Sequence, residues 1–263
     1  MSIEGIPAPE HRPAIEIRAM TVNNVLEALA AGMRDLRAGL GHSLAFGVLI
    51  AVGGWVLVLL LLKFHLPWLV YPLAMAFALI APFMATGLYE ISRRIGAGEP
   101  LTWNGIATSV RRASGRDIGW MALVTGFSFV IWMDIAALLT FGFLGLSVTS
   151  VTAFVDQVFS TPSGLAFLVL GNTVGAAIAL TVFSLSVISF PMLFDRDIDF
   201  VTAMITSVRT VLANPRAMLV WFAIIGFLTA LSFLSLFVGL IVFFPLLGHA
   251  SWHVYRRAVG PAA

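Results

Sequence analysis

Asp134 sits inside an otherwise apolar run, Ile131-Trp132-Met133-Asp134-Ile135. A carboxylate near the centre of a membrane helix costs about 2.5–3.5 kcal/mol on insertion scales. It therefore needs a partner, a water cavity or a proton. Asn172 and Thr173, in Gly171-Asn172-Thr173-Val174-Gly175, fall at matching depth if the two apolar runs form a hairpin. The expectation is a hydrogen bond from Asn172 or Thr173 to Asp134, with Gly171 and Gly175 permitting close helix approach. Such a group serves either as an interhelical polar clamp or as a proton or ion site.

His249 and His253 are four apart and share a helical face. That spacing suits a metal or haem pair. No third ligand is evident, because Cys is absent and His11, His42 and His65 are scattered. The plainer reading is an interfacial belt of Trp252, His253 and Tyr255 closed by Arg256 and Arg257. No metal and no cofactor is expected. Asp195, Asp197 and Asp199 surround Arg196, but the glycine and terminal glutamate of a calcium loop are missing. Asp199 reads instead as the N-cap of a following helix. Ser184, Ser186 and Ser189 are expected to bond back to their own helix. Glu90 beside Arg93 and Arg94 reads as an interfacial ion pair of little worth.

Recognised catalytic motifs are missing: there is no phosphate loop, no Gly-x-Ser-x-Gly and no zinc-protease motif. Gly96-x-Gly98 follows a spanning helix rather than a strand, which excludes a dinucleotide fingerprint. The basic residues form no nucleic-acid surface. These observations point away from an enzyme.

The elements that carry these residues follow from composition. Of 263 residues, 60% are apolar and 11% charged, and the mean hydropathy is +1.00. Such a chain could not cover a water-facing surface, so a soluble enzyme, a disordered chain and a disulfide scaffold are excluded. It reads as an all-α integral membrane protein. Six apolar runs are long enough to span about 30 Å of hydrocarbon. They lie near 42–62, 68–90, 118–143 and 165–190, with two more in the block Met218–His249 joined by a turn near Ser232–Gly239.

Of 15 basic residues, 14 fall on one side of this scheme; only Lys63 falls on the other. The positive-inside rule makes the arginine side cytoplasmic, with both termini inside a bacterial inner membrane. Residues 1–40 carry no cleavable signal pattern, so the first span is expected to act as its own insertion signal. The division is an extended cytoplasmic arm at 1–20, a single six-helix transmembrane domain at 21–258 and a tail at 259–263.

A threefold pattern underlies the six runs. An amphipathic stretch precedes spans one, three and five: Val22, Val25, Leu26, Leu29, Met33 and Leu36; then Leu101, Trp103, Ile106 and Val110; then Ile198, Val201, Ile205, Val208 and Leu212. Each is expected to lie in the cytoplasmic interface. Each even span carries a proline before its exit: Pro82, Pro191 and Pro245. The fold expected is three hairpins, each preceded by an interfacial helix.

The ending Pro245-Leu246-Leu247-Gly248-His249-Ala250-Ser251-Trp252-His253-Val254-Tyr255-Arg256, the exit Phe194-Asp195-Arg196-Asp197 and the break Asn214-Pro215 resemble an uncharacterised family of predicted bacterial integral membrane proteins, frequent in proteobacteria. The resemblance runs from about residue 40 onward. Some family members carry a cytochrome c oxidase subunit label, which implies a link to respiratory oxidases. A catalytic oxidase subunit needs six helix-borne histidines, and this chain has five His in total. The resulting expectation is a non-catalytic accessory subunit in the bilayer, packed against other membrane subunits of a larger complex. The alternative is a small proton- or ion-coupled transporter or channel using Asp134.

Overall fold

The computed structural model describes residues 15–64, 70–113, 115–145 and 151–260. His11, His65, Pro7, Pro9, Pro13 and the tail from 261 lie outside them. The described residues form eleven helices: α1 Val22–Ala38, α2 Leu40–Phe64, α3 Val70–Ala97, α4 Trp103–Ala113, α5 Arg116–Leu144, α6 Val151–Ser160, α7 Pro162–Ser186, α8 Ser189–Asp195, α9 Phe200–Ala213, α10 Pro215–Leu234 and α11 Leu240–Ala258. One antiparallel bridge, Ile17 to Val259, is the only strand-like pairing among the described residues.

Local chemistry sets the boundaries. Thr21 caps α1 in a reciprocal box with Asn24. Thr161 caps α7, and Pro162 takes its first position, where a missing N–H costs nothing. Asp199 caps α9 as expected, accepting the Thr202 backbone N–H at 2.9 Å and its hydroxyl at 2.6 Å. These bonds hold the Asp199 carboxyl below the usual carboxylate range. Pro215 opens α10. The Asn214 side chain makes no capping bond to α10; it donates to the Thr210 carbonyl of α9 at 3.1 Å and also binds the N-terminal arm. It accepts the Met20 N–H at 2.6 Å and donates to the Arg18 carbonyl at 3.1 Å.

Four stretches among the described residues are long and apolar enough to cross a membrane: Leu40–Leu60, Asp117–Leu144, Pro162–Asp195 and Pro215–Leu234. The second and sixth runs of the sequence are carried by α3 and α11. Both are sided rather than uniformly apolar, and they bury Glu90, Ser92 and His249.

The short helices fall at 22–38, 103–113 and 200–213, near the three amphipathic stretches, and α1 and α9 turn large apolar side chains outward. In α1 the buried positions are Val25, Ala28, Ala31, Gly32, Asp35 and Leu36, while Val22 and Leu26 are exposed. In α9 the buried positions are Ala203, Thr206, Ser207 and Thr210; Val201, Ile205 and Leu212 point outward. The protein side of each helix is its small or polar face. Small side chains let backbones approach closely, which leaves the larger apolar side chains free to meet another apolar phase.

Two connections depart from the sequence reading. A further helix, α6, stands between α5 and α7. The fourth run does not continue into Pro191 as one helix: it breaks at Val187–Ile188, and Pro191 falls in the first turn of α8. Proline is tolerated there because first-turn N–H groups have no intrahelical acceptor. The Ser207 hydroxyl of α9 accepts the freed Ile188 N–H at 3.1 Å. The α10–α11 turn lies where expected, with Leu236 and Phe237 at φ 52° and 67°. Trp55 of α2 donates to the Leu236 carbonyl at 2.6 Å and pins it.

Candidate functional site

The density of the bundle is greatest around α11. Gly32 of α1 lies against its backbone: a Cβ there would sit 2.7 Å from the Ala250 nitrogen. Gly248 makes room in the same way for the Leu88 side chain of α3. Through these close approaches, four helices deliver polar side chains to one buried cluster.

His249 is fully buried at its centre. Its Nε2 lies 2.8 Å from the Ser43 hydroxyl of α2, and its Nδ1 lies 2.8 Å from the Ser92 hydroxyl of α3. A serine hydroxyl both donates and accepts, so a neutral imidazole is satisfied in either tautomer. One turn on, His253 Nε2 lies 2.6 Å from Asp35 Oδ2 of α1. Ser92 also bonds Asp35. Burial acts to raise the Asp35 carboxyl, but the bonds from His253 and Ser92 and the two imidazoles together hold it below the usual carboxylate value. The result is a continuous polar chain: Ser43, His249, Ser92, Asp35, His253.

This corrects the reading of Trp252, His253 and Tyr255 as an interfacial belt, because Trp252 and Tyr255 are buried. His249 is interior, and only His253 keeps a partly exposed edge. The pair also lacks free nitrogens facing a common point, since both ring nitrogens of His249 are engaged. Among the described residues, no group of three or more His, Asp or Glu side chains could hold a metal ion. Asp35, Ser43 and Ser92 were absent from the candidates drawn from sequence. A signal for Asp35 existed: it falls on the same helical face as Val25, Ala28 and Gly32, an acid on the side a helix buries.

Two further polar groups hold neighbouring elements. The Glu90 side chain is 1% exposed and accepts from Arg93 Nε at 2.7 Å and from Arg94 Nε at 2.6 Å. The expected surface pair is thus a buried one, and losing it is correspondingly more expensive. Arg93 extends to Glu99 at 2.9 Å, and Arg94 reaches the Pro100 carbonyl at 3.1 Å, which fastens the α3–α4 connection. On the other side, Tyr255 donates to Asp195 Oδ2 at 2.6 Å, and Arg196 donates to the Tyr255 hydroxyl at 2.9 Å and to the Gly260 carbonyl. Asp195 is therefore committed to α11 rather than to a cation shared with Asp197 and Asp199.

Asp134, Asn172 and Thr173 are not brought together. Asn172 donates to the Leu168 carbonyl at 2.7 Å, and Thr173 to the Val169 carbonyl at 2.7 Å, each on its own helix. Both side chains are exposed, as is Asp134, which has no hydrogen-bond or ion-pair partner among the described residues. Gly175 does receive a close neighbour, but it is Trp132: a Cβ there would lie 2.9 Å from the ring. That indole occupies the α5–α7 seam, and Asp134 lies on the exposed stripe of α5 with Trp120, Leu123, Phe127, Ile131, Leu138 and Phe141. Ser184 and Ser189 bond back to the Leu180 and Leu185 carbonyls, whereas Ser186 makes no such bond among the described residues. His42 stacks near Trp103, with ring centroids 4.6 Å apart.

Apolar all-helical architecture, with its polar side chains gathered at the helix ends and along one hub helix, defines a helical integral membrane protein. Residues 70–195 match the model of a family described as predicted integral membrane protein (DUF2189). The match takes in the Phe194-Asp195 exit, and the closing motif around His249 lies beyond it. No curated protein and no solved structure matches the chain.

Proposed function

We propose that this protein is a non-catalytic subunit that assembles side by side with other proteins in a bacterial inner membrane, as an accessory part of a larger complex. The observation that carries this reading is Asp134. It lies well inside the α5 span, on an exposed stripe, without a bonded partner among the described residues. A carboxylate left against acyl chains is costly, whereas a hydrogen-bond donor on a neighbouring protein's helix offsets that cost. The rest of the polar inventory supports the same reading. His249, Asp35, Glu90 and Asp195 are bound to other side chains of the fold, which leaves them as fasteners. The transporter alternative finds less support, because Asp134 faces outward rather than into a seam between helices.

The topology we propose is six spans in three hairpins, α2–α3, α5–α7 and α10–α11, with α1, α4 and α9 in the cytoplasmic interface. The outward apolar faces of α1 and α9 support the interfacial placement. The Ile17–Val259 bridge supports an even number of crossings, since it puts residues 17 and 259 at the same end of the bundle. Accessibility labelling between Arg93 and Arg116 tests the orientation; labelling from outside the cell would refute it.

The assembly reading is tested by copurification after mild detergent extraction, with a photo-crosslinking residue at Phe127 or Leu138. The expected result is a defined crosslinked protein that disappears in Asp134→Leu and survives in Asp134→Asn. A chain that elutes alone and crosslinks only to lipid would overturn it.

A further inference from the structure

We infer that a cleft at the arginine-rich end of the bundle binds a phosphoethanolamine zwitterion, the headgroup chemistry of an aminophospholipid. The inference rests on the proposed orientation only for where that ligand comes from.

The cleft has a volume of about 480 Å³ and lies between the end of α3, the last turns of α4, the start of α5 and the α8–α9 connection. Cavities of a few hundred Å³ suit small ligands. Its walls carry seven charged side chains, and most of them are already committed within the protein. Arg93 is held by Glu90 and Glu99. Arg196 is held by Tyr255 and the Gly260 carbonyl, and Asp195 by Tyr255 and Arg256. Asp117 accepts the Phe200 backbone N–H at 3.3 Å.

Two charges remain. Arg112 and Asp197 line the same cleft, are exposed, and form no hydrogen bond or ion pair among the described residues. One is a cation and the other an anion, and they stand on different elements of a cleft that Ile118, Leu193, Phe194 and Ile198 also line. A purely anionic ligand would satisfy Arg112 and leave Asp197 facing a like charge. A purely cationic ligand would do the reverse. A zwitterion answers both: its phosphate takes the guanidinium fork in a charge-assisted pair, and its primary ammonium donates to the carboxylate. The apolar wall suits the ethylene and glycerol carbons between and beside these groups. At the membrane interface, an aminophospholipid presents this arrangement at high local concentration.

The test uses the full chain purified in mild detergent and measures retained lipid by native mass spectrometry. Mixed micelles offer phosphatidylethanolamine, phosphatidylglycerol and phosphatidylcholine in turn, and soluble glycerophosphoethanolamine is supplied as a separate arm. The expected result is preferential retention of phosphatidylethanolamine. Arg112→Gln should weaken retention of phosphatidylethanolamine and of phosphatidylglycerol, each by roughly tenfold, the loss of one charge-assisted bond. Asp197→Asn should weaken phosphatidylethanolamine alone and shift the preference toward phosphatidylglycerol. Both residues are exposed and bond no other described residue, so both variants should elute as the wild type does.

Equal retention of all three lipids by the wild type would overturn the inference, as would a preference that ignores both substitutions. Tighter binding of the soluble arm than of any lipid would keep the zwitterion chemistry and assign it to a soluble source. These outcomes are read in detergent and do not depend on topology, so a failed orientation experiment and a failed headgroup site remain separable.

Discussion

The α1–α2–α3–α11 quarter of the bundle and the α5–α7 pair are built from similar apolar residues, yet they treat their polar side chains in opposite ways. Around α11, hydroxyls, imidazoles and carboxylates bond across helices, and partners are separated by up to 218 residues in sequence. Along α5 and α7 the hydroxyls of Thr125, Ser128, Thr140, Thr173 and Thr181 bond the carbonyl four residues back on the same helix. The single ionisable group of that pair's central stretch, Asp134, faces outward. The first region is closed on itself, while the second has satisfied its own backbone and left one face for something else. In a bilayer, apolar burial does not drive helices together, so crosswise polar bonds and close small-residue contacts decide where a bundle is tight.

The contrast breaks most sharply at Glu90. Glu90→Ala removes the buried carboxylate that Arg93 and Arg94 share and leaves them only Glu99 and the Pro100 carbonyl; the expected loss is about 3 kcal/mol, read as a lowered melting temperature in detergent. His249→Ala leaves the Ser43 and Ser92 hydroxyls without their shared partner, plus a cavity, for about 2–3 kcal/mol. Gly32→Val forces α1 off the Ala250 backbone and should cost about 1–3 kcal/mol through overpacking. Placing the same valine at Gly171, where a Cβ meets nothing within 4 Å, should cost far less.

Asp35 sharpens the comparison through pH. Its folded-state value lies below its unfolded one, so its ionised form stabilises the fold above the ordinary carboxylate range. That contribution is lost as pH falls through the lowered value. Melting curves across the acid range should show this loss in the wild type and a flatter dependence in Asp35→Asn. Asp134→Leu should have the smallest effect on the isolated chain, within about 0.5 kcal/mol, because no described residue bonds it. If Asp134→Leu instead destabilised the isolated protein as much as His249→Ala, the two regions would not differ in the way described.

Much of the architecture was readable in advance because it depends on local pattern. The apolar runs became α2, α3, α5, α7, α10 and α11, and the amphipathic stretches became α1, α4 and α9. The Asp199 cap and the Asn214-Pro215 boundary were visible for the same reason, since their chemistry acts within a few residues. The polar chain through His249 was not visible. Its members lie on four helices, and a serine such as Ser43 or Ser92 has no distinguishing neighbours in sequence. The Asp134–Asn172 clamp failed for a related reason: matching depth was inferred correctly enough to suggest contact, but the facing direction is set by Trp132 filling the seam against Gly175. The outward apolar side of α9 was legible from its spacing, whereas the packing of Thr206, Ser207 and Thr210 against the protein depends on partners distant in sequence.

The bond between Asp35 and His253 has a consequence for biosynthesis. While the nascent chain is still being inserted, α1 emerges long before the helix that will cover Gly32 and bond Asp35. Until α11 arrives, that strip of small residues with its carboxylate stays open, available to a chaperone or a membrane protease. A chain stalled before His249 would leave that strip uncovered, with transiently exposed surface of the kind that favours misassembly.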